Sequence, residues 1–125
     1  MEAKVKIQSF TDLVTWQEGH RLVLFIYEVT KIFPKEEMFG LTNQLRRASV
    51  SITSNIAEGF NRQSVKDKAH FYVMAHGSVA EVQNQLMICR DVSYLSKEKF
   101  SKITEQAILV HKLLTGLIRS VTRTQ

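Results

Sequence analysis

Apolar and polar positions along this chain recur with a helical period rather than alternating as they would in a strand. Leu13, Trp16, His20, Val23, Tyr27 and Thr30 fall three or four residues apart, a mostly apolar seam that predicts a first helix over about residues 11–33. Ser9 followed three places later by Asp12 has the form of a capping box at its start. Pro34 closes the helix, because it lacks a backbone donor and biases Phe33 away from helical angles. Gly40 is free to reverse the chain and Thr42 is placed to cap a second helix over about 42–60, whose inner face collects Leu41, Leu45, Ala48, Ile52, Ile56 and Gly59.

A third helix, over about 64–92, starts behind Ser64 with Asp67 as a second capping-box partner and turns Phe71, Ala75, Ser78, Val82, Leu86 and Cys89 inward. The fourth, over about 97–122 and capped by Ser96, carries the cleanest seam: Phe100, Ile103, Ala107, Val110, Leu114, Leu117 and Val121. Four long helices with short connections predict an all-α, antiparallel up-down-up-down four-helix bundle filling residues 1–125 as one domain.

The middle helices carry apolar residues on a second face. Val73, His76, Ala80 and Met87 share one side of helix three, while Val50 and Ala57 lie nearly opposite Ile52 on helix two. A lone bundle needs one apolar stripe per helix, so these six positions predict an interface between copies of the chain. Ser51, Asn55, Ser78 and Gln85 lie in or beside the core faces. They are read as hydrogen-bonded residues that set helix register, because a buried polar group without a partner is costly.

Composition narrows the functional classes. A chain of 125 residues, 44% hydrophobic and 23% charged, has the balance of a water-soluble folded domain. No apolar run reaches the length of a membrane span and the N-terminal stretch lacks the apolar centre of a signal peptide; with a single cysteine, Cys89, the expectation is a cytoplasmic protein with no membrane association. No Walker loop, dinucleotide fingerprint, HExxH or nucleophile elbow occurs, and a di-iron bundle would need the Glu-x-x-His pairs that are missing here. The four histidines have no i,i+4 partner among themselves, Glu58 and Glu81 read as side chains paired with arginine or water rather than as an acid–base pair, and Cys89 reads as a core filler. The expectation is a non-enzyme with no metal and no cofactor.

The charge is +5, and residues 94–125 hold six basic and two acidic residues. The cations Arg46, Arg47, Arg62, Lys66 and Lys68 are the candidate nucleic-acid contacts. The bundle topology puts the 60–68 turn and the 93–97 turn at opposite ends, so the basic residues form at least two patches.

The runs FTDLVTWQ at 10–17, FPKEEMFGLTNQLRRASVSITSNIAEGFNR at 33–62 and FYVMAHGSVAEVQNQL at 71–86 closely resemble the four-helix-bundle family of 23S rRNA intervening-sequence proteins. That family is in turn similar to the accessory variability determinant proteins of diversity-generating retroelements. The resemblance implies a small bacterial cytoplasmic protein, a homopentamer, and a non-catalytic role in binding RNA or DNA, with a reverse transcriptase or another protein as a further partner. The alternative is a protein–protein adaptor or structural bundle that binds no nucleic acid.

Overall fold

The computed structural model describes residues 6–123. Within them the chain forms α1 (Val14–Thr30), α2 (Leu41–Asn61), α3 (Val65–Asp91) and α4 (Lys97–Thr122), with short 3-10 turns at Phe10–Asp12 and Lys35–Glu37 and no strand among the described residues. Consecutive helices run antiparallel. Gly19 of α1 lies against Thr53 and Ile56 of α2, Ser51 of α2 meets Ser78 of α3, and His76 of α3 meets Thr115 of α4. Gln106 of α4 closes the ring by donating to the Glu18 backbone oxygen of α1 at 2.8 Å. This is the predicted four-helix bundle. No helix among the described residues is long and apolar enough to cross a membrane.

One core runs down the axis. Leu22 and Ile26 of α1, Leu45, Ile52 and Ile56 of α2, Val79, Val82 and Leu86 of α3, and Ile103, Val110 and Leu114 of α4 are fully or almost fully buried. The seams of α2 and α4 are those expected from periodicity. On α3 the lower core position is Tyr72, and Phe71 is only half-buried.

The first helix departs most from expectation. It is shorter than 11–33, because Leu13 takes extended angles and separates the Phe10–Asp12 turn from α1. The Ser9–Asp12 capping box is real but closes that turn. At the other end α1 stops at Thr30, before Pro34 can act, and buried Phe33 packs against Tyr94. The buried seam is Thr15, Gly19, Leu22, Val23, Ile26, Val29 and Thr30, so His20 and Tyr27 face solvent. The helix turns this way because Gly19 admits α2 closely: a Cβ there would lie 3.2 Å from Thr53 Cγ2. Thr30 satisfies its buried hydroxyl by donating to Ile26 O at 2.7 Å.

Caps and turns show one further correction. Thr42 is buried inside α2 and caps nothing; Glu37 Oε1 instead accepts from Leu41 N at 3.1 Å. The other carboxylate oxygen accepts from the Tyr94 hydroxyl at 2.9 Å, so one side chain links the α1–α2 connection to the α3–α4 turn. Beside that carboxylate the phenol of Tyr94 is held above its ordinary pKa. Ser64 and Ser96 cap α3 and α4 by accepting from Asp67 N and Lys99 N, but at Ser64 only this half of the expected capping box forms, since the Asp67 carboxylate does not accept from Ser64 N.

Candidate functional site

The five candidate cations part into two groups with different surroundings. Arg46 and Arg47 sit in the second turn of α2, whereas Arg62, Lys66 and Lys68 surround its far end. Fifteen helical residues separate the groups, about 22 Å at 1.5 Å per residue.

Three of the five are engaged within the chain. Arg46 Nε donates to Thr30 Oγ1 at 2.8 Å, and its guanidinium lies 4.6 Å from the centre of the Tyr27 ring. Arg62 pairs with Glu58 at 3.1 Å and stacks over Phe71 at 4.6 Å. Lys68 donates to Phe60 O at 2.6 Å and Gly59 O at 3.3 Å, which answers the open carbonyls at the end of α2. Arg47 and Lys66 are exposed and make no hydrogen bond, ion pair or ring contact with the described residues.

Adjacency in sequence hides that difference. Arg46 and Arg47 are rotated by about 100° on a helix, so Arg46 reaches α1 while Arg47 stands between the groove it shares with Arg46 and Tyr27 and another beside α3. Arg47 lines a groove of about 400 Å³ with Gln44, Ala48 and Ser51 of α2 and Glu81 and Gln85 of α3. Its guanidinium and the Glu81 carboxylate flank the same groove without forming an ion pair. Below them Ser51 Oγ and Ser78 Oγ lie 2.9 Å apart, and Asn55 Nδ2 donates to Ser51 O at 2.9 Å and to Ser51 Oγ at 3.1 Å. Three of the four polar seam residues therefore form a network. Gln85, 8% exposed, does not join it, and its buried Oε1 has no partner. A buried acceptor left open costs about 1–3 kcal/mol.

The six predicted interface residues are not drawn into one patch. Val50 lines a groove with Tyr27, Asn43 and Arg46 on the α1 side of α2, and Ala57 is half-buried. Met87, 49% exposed, lines a separate depression with Phe100, Thr104 and Ile108 on the α4 side of α3. Val73, 54% exposed, and Ala80 face solvent. His76 turns toward α4, where it shares a hydrogen bond of 3.2 Å with Thr115 Oγ1 and its ring centre lies 4.0 Å from that of His111. Partial desolvation and His111 hold the His76 pKa below its ordinary value. The most exposed apolar side chains were not among the six: Phe39, 91% exposed, with Ile32 and Met38, in the α1–α2 connection. Their signal in sequence was the apolar pair Met38–Phe39 in a segment too short to form a buried helix.

Glu58 is paired with Arg62 while Glu81 lines the groove, so the two carboxylates are not brought together. Cys89 is buried and its thiol is pushed up to about 11 by burial. No group of three or more His, Cys, Asp or Glu side chains able to hold a metal ion occurs among the described residues.

Comparison with known proteins places the chain. The family model described as 23S rRNA-intervening sequence protein matches residues 11–116. A crystal structure of a protein of unknown function from the S23 ribosomal protein family of Bacteroides thetaiotaomicron matches with a TM-score of 0.78 and 21% identity, covering 85% of this chain and 96% of that one. At that identity the likeness concerns the fold. No curated protein matches the chain.

Proposed function

As the chain belongs to the 23S rRNA-intervening sequence protein family, we propose that it is a non-catalytic cytoplasmic protein that binds nucleic acid, RNA foremost, through basic surfaces repeated in a homo-oligomeric ring. The observation that carries this reading is Arg47, an arginine on a helix at a polar groove whose side chain makes no hydrogen bond, ion pair or ring contact with the described residues. A guanidinium suits phosphate and base edges alike. The reference to 23S rRNA in the family's description favours RNA over DNA.

One copy carries +5, a weak attraction by itself. Five copies carry about +25, and several weak phosphate contacts made together act as one avid site. Exposed Val50, Val73 and Met87 supply apolar surface for such assembly. The test is titration of a structured RNA and a DNA duplex at several salt concentrations, beside molar mass by light scattering. Affinity is expected to fall steeply as salt rises, from a species heavier than one chain. Negligible binding to both at low salt refutes the reading.

A second reading draws on Phe39, Ile32 and Met38. Large apolar side chains gathered on an exposed connection favour a protein partner, such as a reverse transcriptase, and an adaptor role without nucleic acid. That reading predicts association with a defined protein that is insensitive to salt.

A further inference from the structure

We infer that the groove between α2 and α3 receives an unpaired guanine base of RNA, with Arg47 donating to O6 and N7 and Glu81 accepting from N1–H and the N2 amino group. The inference rests on the nucleic-acid reading above and adds which base is taken.

Three features of the groove point to a ligand with both acceptor and donor edges. Arg47 and Glu81 stand on different helices at one groove, and neither has a partner among the described residues. Two opposite charges left apart suit a molecule that fits between them. Gln85, nine-tenths buried, and Gln44 add two amide side chains to the lining. The remaining floor is Ala48, whose small side chain leaves room for a flat ring, and Ser51, already tied to Ser78 and Asn55. At about 400 Å³ the space falls in the lower part of the range typical of small-ligand sites.

Guanine answers that set better than the other bases. Its O6 and N7 are adjacent acceptors that match the guanidinium fork, and its N1–H and N2 amino group are adjacent donors that match a carboxylate. Adenine offers an amino donor where Arg47 needs an acceptor, and its N1 is an acceptor that would face Glu81. Cytosine and uracil lack the N7 position. In a duplex the donor edge of guanine is occupied by its pairing partner, so only an unpaired residue can reach Glu81.

The test uses the full chain and unstructured, fluorescently labelled oligouridylates of about eight nucleotides, a length within the range bound by single-strand sites, carrying one central G, A, inosine or 7-deazaguanine. Anisotropy at one salt concentration should show G bound at least about tenfold tighter than A. Inosine, lacking the N2 amino group, and 7-deazaguanine, lacking N7, should both bind more weakly than G. Glu81→Gln should remove the preference for G while leaving the affinity for the A oligonucleotide within about twofold; Arg47→Ala should weaken both. Both side chains are exposed, and far-UV circular dichroism checks that the variants fold. Equal affinity for G and A in the natural chain overturns this inference and leaves nucleic-acid binding standing. Absence of binding to these oligonucleotides and to any structured RNA at low salt overturns both. Guanosine 5′-monophosphate binding as tightly as the G oligonucleotide overturns RNA as the source and gives the groove to a free nucleotide.

Discussion

Substituting Gly59→Ala tests how closely α2 and α3 approach. A Cβ at position 59 would lie 2.6 Å from Tyr72 Cε1, 2.8 Å from Tyr72 Cδ1 and 3.1 Å from Phe71 Cβ. Ordinary carbon contacts begin near 3.5 Å, so the ring must retreat by nearly an ångström. Tyr72 is 2% exposed and sits in the core, which leaves it nowhere to go without moving α3. Overpacking of this kind costs up to about 3 kcal/mol. Alanine returns about 1 kcal/mol through its better helix propensity, for a net loss of about 2 kcal/mol. For a chain of this size that lowers Tm by about 8 °C. Gly116→Ala is the control, because a Cβ there meets nothing within 4 Å. It should gain about 0.5–1 kcal/mol and raise Tm by a few degrees. Thermal unfolding followed by circular dichroism at 222 nm, checked by urea titration, reads both. A Gly59→Ala protein as stable as the natural one would mean that the two helices do not pack as described.

The two neighbouring arginines should respond differently to truncation. Arg47→Ala should leave stability within about 0.5 kcal/mol while weakening RNA binding and flattening its salt dependence. Arg46→Ala, which loses the bond to Thr30 and the contact with Tyr27, should cost about 1–2 kcal/mol in urea unfolding. Because the His76 pKa is depressed in the fold, the unfolded chain binds more protons just below the ordinary histidine value. Stability should therefore be full above about pH 6.5 and decline as pH falls through the depressed value; a Tm series from pH 7.5 to about 5 checks it, and His76→Gln should shallow the slope. With its thiol pushed up to about 11, Cys89 should react with a thiol reagent at pH 8 only as fast as the protein unfolds. Rapid modification of the native protein would contradict its burial.

The bundle was legible where apolar residues repeat without interruption. On α4 every third or fourth residue from Phe100 to Val121 is apolar, so period and burial coincide. On α1 they do not. Thr15 and Gly19 are buried although neither is apolar in the usual sense, while Tyr27 is a large ring at the surface, and a seam traced through large side chains therefore slipped around the helix. The break at Leu13, which takes extended angles, had no local signal, since leucine is a good helix former. Among the cations, residue type could not separate Arg46 from Arg47; the distinction depends on which neighbouring helix each one meets. The meeting of His76 with His111 joins residues from two helices and has no expression in spacing along either one.

Four antiparallel passes bring the chain back to the side from which it set out. The Phe10–Asp12 turn and the last turns of α4 therefore emerge at one end, while the α1–α2 connection with Phe39 and the α3–α4 turn occupy the other. A dye, an immobilising tether or a fused reporter attached beyond either extremity leaves the Phe39 end clear of the support. The same geometry suits circular permutation, with a flexible tether joining the old ends and new ones opened in the turn that ends at Ser96.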